Sequence, residues 1–249
     1  EIVDARIPVS SRNPELDSII QKKPRIILLN KCDVADSQAT SMWLKYFRDK
    51  GFYAAAVDCR TGKGLNSFDS LVKQALKSVI ERNDAKGMSG KPLRLMVVGI
   101  PNTGKSSFIN RMGKNAKAKV ADKAGVTRQN QWFVVGNGIE LLDTPGVLWP
   151  KFDDPEVGDK LAFIGSVKDE VTDKETLACR LLESLAATRP QAIEDRYKIS
   201  GISGLQGWEI LEMIGKKRGF LIKGGEIDYE RAAVIVADEF RGGKLGRIT

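Results

Sequence analysis

Short apolar runs alternate with longer amphipathic stretches through the first two thirds of the chain. "RIILLN" (25–30) and "YAAAVD" (53–58) are almost unbroken runs of apolar residues, which predicts parallel strands covered on both faces. Between them, "QATSMWLKYFRDKG" (38–51) has helical spacing and closes on Gly51. "GLNSFDSLVKQALKSVIERN" (64–83) predicts a second helix. "NDAKGMSGKP" (83–92), poor in large apolar residues, reads as a linker. A new unit then opens with "LRLMVVG" (93–99) as a strand feeding a helix that starts "GKSSFINRM". "NQWFVV" and "IELLD", joined by "GNG", predict a hairpin. Strands alternating with helices imply an α/β layered domain with a mostly parallel sheet. After about Ser166 the pattern becomes helical: "KETLACRLLESLAATRP", "WEILEMIGKKRG" and "DYERAAVIVADEFRGG", each closed by Pro or Gly. The reading is therefore an α/β domain over 1–168 and a small helical domain over 169–249.

Composition narrows this only slightly. With 249 residues, 42% hydrophobic and 29% charged, the chain is long enough for a proper core and has a globular balance. No apolar run approaches the roughly 20 residues of a membrane-spanning helix, so no membrane partner is expected. The chain opens on "EIVDAR" without an initiator Met, so its natural N-terminus is expected upstream. Cys32, Cys59 and Cys179 are widely spaced, and there is no histidine. That argues against a zinc site or a disulfide framework and for a reducing compartment, read as the cytoplasm. A net charge of +8 suits a polyanionic partner such as nucleic acid.

The chemistry lies in three loops. "GIPNTGKS" (Gly99–Ser106) fits G-x-x-x-x-G-K-[ST], with a strand before it and a helix after it. Such a loop turns successive N–H groups toward phosphate oxygens and adds the positive end of a helix. Asn102, Thr103, Gly104, Lys105, Ser106 and Ser107 form the candidate phosphate cradle. Lys105 would reach the β- and γ-phosphates, and the Ser106 hydroxyl would be a Mg²⁺ ligand. Asp143, in "LLDTPG", is placed to hold the same Mg²⁺, and the Gly146 N–H to contact a γ-phosphate. Thr127, in the polar loop "KAGVTRQNQ", is the candidate for a further Mg²⁺ ligand.

The third loop is "NKCD" (Asn30–Asp33), at the end of a strand, where open α/β sheets bind ligands. Asp33 can accept two hydrogen bonds from guanine, N1–H and the exocyclic amine, a donor pair adenine lacks. Asn30 can bond the base edge and tie its loop to the phosphate segment, while the Lys31 stem lies over the ring. "VDCRTGKG" (57–64), with Cys59 and Arg60, is a candidate loop backing the guanine, though a plain helix-entry loop fits it nearly as well. An ATP-using P-loop enzyme such as a small-molecule kinase is the competing reading, which nucleotide competition separates. In chain order the parts run base reader, backing loop, linker, phosphate loop, switch loop, Mg²⁺ loop. That is a cyclic shift of the usual GTPase order, and it leaves the site whole if the original termini lay close together.

With "DARIPVSSRNP", "NKCD", "GIPNTGKSSFIN", "GVT", "DTPGVLWP" and the tail "KKRGFLIKGGEIDYERA…RGGKLGRIT", the chain resembles the circularly permuted GTPases of the ribosome-biogenesis GTPase A (YlqF/RbgA) family. The resemblance implies a GTP/GDP-binding switch for assembly of the large ribosomal subunit, monomeric, with the helical domain on rRNA. It also implies that Asn102 is a candidate K⁺ ligand, and that the hydrolytic group is a histidine upstream of "DARIP". Val147 occupies the water-orienting position and can do no such work. The catalytic residue is therefore expected upstream of Glu1, with Lys105 and Thr127 assisting, and hydrolysis by these residues alone is expected to be slow. The alternative is a GTP-gated RNA-binding module with negligible hydrolysis of its own. Lys216, Lys217, Arg218, Lys223, Arg241, Lys244 and Arg247 are candidate RNA phosphate contacts.

Overall fold

A computed structural model describes residues 1–20, 23–113, 131–149, 152, 154–167 and 173–249. Thr127 and almost all of its loop lie outside the described residues. The chain divides into two compact units, Glu1–Lys151 with Thr249, and Phe152–Ile248.

Among the described residues, the first unit holds six strands in two three-stranded sheets. One sheet is all parallel, in the order β1 (Ile2–Asp4), β2 (Ile26–Asn30), β3 (Tyr53–Ala56). In the other, β6 (Ile139–Asp143) lies between a parallel β4 (Leu93–Val97) and an antiparallel β5 (Gln131–Gly136). The Ile2 N–H donates to the Val98 carbonyl at 2.8 Å, which brings the sheets edge to edge. The hairpin joining β5 and β6 turns on Asn137 (φ 51°) and Gly138 (φ 72°). Both central residues of a type I′ turn need positive φ, and Asn-Gly accepts that at least cost.

β2 is buried over Ile27–Asn30, as its unbroken apolar run requires. Helix α1 (Glu15–Ile20) is short. In α2 (Ser37–Asp49) the Asp36 carboxylate caps the first turn by accepting from the Ala39 N–H, and Phe47 faces the core. The single helix predicted over 64–83 is in fact three pieces: a 3₁₀ turn at Leu65–Ser67, α3 (Phe68–Ala75) and α4 (Lys77–Ala85), broken at Leu76. Phe68 and Val72 reach the core and Leu76 packs against it, whereas α4 has no buried residue, so nothing holds it to the same axis. The linker begins only after Ala85. Helix α5 (Lys105–Met112) leaves the β4 loop and buries Phe108 and Ile109. Phe108 meets Phe68 edge-on, with ring centroids 5.0 Å apart.

The second unit is helical: α6 (Pro155–Phe163), α7 (Lys174–Thr188), α8 (Pro190–Tyr197), α9 (Gly207–Arg218) and α10 (Tyr229–Arg241). α7 contacts each of the other four and buries Leu177, Leu181, Leu182 and Leu185. α9 starts so close to α7 that a Cβ on Gly207 would lie 2.1 Å from the Cys179 carbonyl oxygen. The sequence pattern placed the boundary at 168/169, which assigns α6 to the first domain. In the structure α6 belongs to the helical unit, because its buried Leu161 and Phe163 pack with that unit and Arg241 donates to the Ala162 and Phe163 carbonyls. Among the described residues, no helix is long and apolar enough to cross a membrane.

Candidate nucleotide site

Three loops leave the carboxyl ends of parallel strands β2, β4 and β6, on one edge of the first unit. That crevice is where open α/β sheets take ligands. The loop after β4 carries Asn102 and Gly104 at positive φ, 60° and 97°. Thr103 is fully buried, and its hydroxyl donates to the Ile100 carbonyl at 3.0 Å. Gly104 precedes Lys105, the first residue of α5, so the helix N-terminus opens at the loop. Ser106 and Ser107 follow in the first turn and are half-buried. Lys105 Nζ donates to the same Ile100 carbonyl at 2.8 Å. Burial lowers the Lys105 pKa to about 8, against the opposing pull of Asp143.

Asp143 ends β6 and is only 2% exposed. The next residue, Thr144, donates its hydroxyl to the Val97 carbonyl at 2.7 Å, which fastens the "DTPG" turn to the end of β4. Gly146 then approaches the phosphate loop so closely that a Cβ would sit 2.7 Å from Lys105 Nζ and 2.8 Å from the Pro101 nitrogen. Val147 beyond it is 60% exposed.

The "NKCD" loop joins this arrangement through Asn30. Its Nδ2 donates to the Thr103 carbonyl at 2.7 Å, and its Oδ1 accepts from the Cys59 N–H at 2.9 Å. One buried side chain therefore ties together the loops after β2, β3 and β4. Gly104 is needed opposite it, since a Cβ there would lie 2.2 Å from Asn30 Nδ2. Lys31 adopts φ 61°, and its Nζ lies 3.0 Å from Asp4 Oδ2. Asp33 is partly exposed, with Oδ2 3.2 Å from Arg60 Nη2. Cys59 is buried, and burial raises its thiol pKa to about 12. Asn30, Lys31, Asp33, Cys59 and residues 102–107 thus converge on one edge with Asp143 and Gly146.

Sequence reasoning overlooked the layer behind these residues. Asp4 is fully buried and receives a forked pair from Arg6, Nε to Oδ1 at 2.9 Å and Nη2 to Oδ2 at 2.8 Å, in addition to Lys31. Burial alone would raise the Asp4 pKa, but Lys31 and Arg6 override it and hold the carboxyl well below the usual range. Arg111 of α5 donates to the Thr61 carbonyl and braces the loop after β3 from the phosphate side. The signal for the first was the charged pair in "DARIP", directly beside an apolar start. Arg111 gave none.

In the second unit the basic candidates have different employments. Lys216 pairs with Glu212 at 2.5 Å, and Arg218 lies over the Tyr197 ring at 5.4 Å. Arg241 is engaged by the α6 carbonyls. Lys217, Lys223, Lys244 and Arg247 are exposed.

An N-K-x-D loop after β2, a P-loop after β4 and a D-x-x-G turn after β6, met in that rotated order along the chain, define a circularly permuted P-loop GTPase. The comparisons agree. The family described as MMR_HSR1, 50S ribosome-binding GTPase, matches residues 94–196. Ribosome biogenesis GTPase A of Priestia megaterium is 46% identical over 100% of this chain and 86% of that protein. Its counterpart in Bacillus cereus is 43% identical over 100% and 84%. The solved GDP-bound structure of TM YlqF superposes with a TM-score of 0.68 at 30% identity, over 100% of this chain and 91% of that one. The GNP-bound YlqF from T. maritima gives 0.66 at 28%, over 100% and 89%. The chain belongs to the ribosome biogenesis GTPase A family.

Proposed function

We propose that this GTPase works in the cytoplasm as a monomeric switch in assembly of the large ribosomal subunit, with GTP governing how it engages the particle. The observation that carries the reading is the Asn30 bridge to the Thr103 carbonyl and the Cys59 N–H. It couples the base-reading loop to the phosphate loop, as a switch that senses a whole guanine nucleotide requires. Asp33 then reads guanine N1–H and the exocyclic amine, and Cys59 and its neighbours back the base.

The phosphate side fits its ligand. Gly104 and Gly146 let Asn30 and the D-x-x-G turn pack directly on the phosphate loop, where no Cβ fits, and Lys105 is a buried ammonium parked on a carbonyl. An incoming β/γ-phosphate would give that ammonium a counter-charge, and the amides at the start of α5 would add hydrogen bonds. The donor set also fits Mg²⁺: Ser106, Asp143 and, from the loop outside the described residues, Thr127 would hold it. Bound there, the ion would neutralise developing phosphate charge. Asn102, at positive φ beside the phosphates, is the candidate K⁺ ligand. Val147 has no group to orient water, which favours a slow rate on these residues alone and a function governed by binding. The helical unit would contact rRNA through its exposed cations, led by Lys217, Lys223, Lys244 and Arg247.

Two measurements test this. GTP and GDP should displace a fluorescent guanine nucleotide, while ATP should not. Co-sedimentation with purified large subunits should be stronger with a non-hydrolysable GTP analogue than with GDP, and should weaken steeply with salt. Preference for ATP, or sedimentation indifferent to nucleotide, would refute the proposal.

A further inference from the structure

The structure points to an internal competitor for the base. We infer that the Arg60 guanidinium occupies the guanine-reading carboxylate of Asp33 in the nucleotide-free protein, so that guanine binds by displacing a side chain of its own host. The inference rests on Asp33 being the base reader.

The geometry supports it at each step. Arg60 Nη2 stands 3.2 Å from Asp33 Oδ2, one of the two oxygens a guanine edge needs if it is to satisfy both of its donors. The backbone beneath Arg60 is firmly held. Its N–H donates to Asp58 Oδ1 at 2.9 Å, the preceding Cys59 N–H donates to Asn30 Oδ1, and Asp58 N donates to the Lys63 carbonyl at 2.9 Å. Arg111 braces the same loop at Thr61. The Arg60 Cα is thus fixed at the rim of the base site while its side chain is 81% exposed. A displaced guanidinium returns to water without moving the loop. Lys31 and Arg6 both pair with the buried Asp4, while Arg60 meets Asp33 in an ion pair.

An exposed ion pair contributes little, so the competition is mild: removing it should tighten guanine nucleotides about two- to fivefold. Because guanine seated on Asp33 would exclude the contact, the gain should fall on the association side and leave the dissociation rate unchanged. Screening weakens exposed pairs, so the difference should shrink between low salt and about 1 M, where the Debye length is near 3 Å.

The test is stopped-flow and equilibrium binding of a fluorescent GDP to wild type, Arg60→Ala and Arg60→Lys. Tighter binding by Arg60→Ala through faster association, with Arg60→Lys between it and wild type, is the expected result. Unchanged or weaker GDP binding by Arg60→Ala would overturn the inference, the latter by showing that Arg60 holds the bound base. Asp33→Asn separates the two levels of the argument. If it moves preference from guanine to xanthine nucleotides, the base-reader assignment stands, and Arg60→Ala in that background should leave xanthosine diphosphate affinity unchanged. If Asp33→Asn leaves GDP binding intact, the base-reader assignment itself falls.

Discussion

Replacing Asn30 by alanine should uncouple the nucleotide loops, and the structure sets the size of the effect. The side chain is 4% exposed and makes two hydrogen bonds, Nδ2 to the Thr103 carbonyl at 2.7 Å and Oδ1 from the Cys59 N–H at 2.9 Å. A buried polar group deprived of its partner costs about 1–3 kcal/mol, so losing both bonds should cost about 2–4 kcal/mol in urea denaturation. GDP affinity should fall by at least about tenfold, or 1.4 kcal/mol, because the phosphate and base loops are no longer held in register. Asn30→Asp is the sharper variant. It keeps the acceptor for Cys59 but sets a second oxygen against the Thr103 carbonyl. The folded protein then favours the protonated acid, so its carboxyl pKa is raised above the unfolded value. The stability this proton confers is full below the unfolded pKa, about 3.9, and is lost as pH rises through the folded pKa. Asn30→Asp should therefore recover on acidification relative to wild type. An Asn30→Ala protein within about 0.5 kcal/mol of wild type, below the smallest loss expected of even one such group, with undiminished GDP binding, would refute the reasoning.

Lys105 gives a pH test, since burial lowers its pKa from 10.5 to about 8 in the folded protein. Between those values the unfolded chain holds more protons, so the stability of the empty protein should rise with pH there. Below about 8 the burial cost of the charge is fully present. Phosphate binding needs the ammonium, so GDP affinity should drop about tenfold from pH 7 to 9. Calorimetry at pH 8 in buffers of different ionisation enthalpy should register proton uptake, and its absence would count against the arrangement. Gly104→Ala places a Cβ 2.2 Å from Asn30 Nδ2 at φ 97°, which should cost about 2–4 kcal/mol by urea melt and weaken nucleotide binding with it. In the helical unit, Arg196 Nε donates to Glu239 Oε2 at 2.9 Å, and hydrogen bonds from Arg196 hold the Glu239 pKa below its ordinary value. This contribution is present at neutral pH and is lost as pH falls through the lowered pKa. Glu239→Gln should cost about 1–3 kcal/mol near pH 7 and progressively less in acid, as followed by thermal melts.

The residues themselves determined a good deal about this protein. Almost unbroken apolar runs make β2 and β3, helical spacing makes α2, α7, α9 and α10, and Asn-Gly makes the β5–β6 turn. Each is a local property, settled by side-chain period or by backbone freedom within a few residues. The three nucleotide motifs were legible for the same reason: each is one loop whose chemistry resides in its own residues. Three-residue β1 is too short to show a period, and α6 gave no sign of which unit it would join. What the tertiary structure decided was every relation across long sequence separation. Asn30 meets Thr103 seventy-three positions away, Gly104 is required because Asn30 stands opposite, and buried Asp4 steadies Lys31. Arg60 lies against Asp33 because β2 and β3 are parallel neighbours. Such contacts depend on which strand ends the fold places side by side, and spacing along the chain carries no record of that.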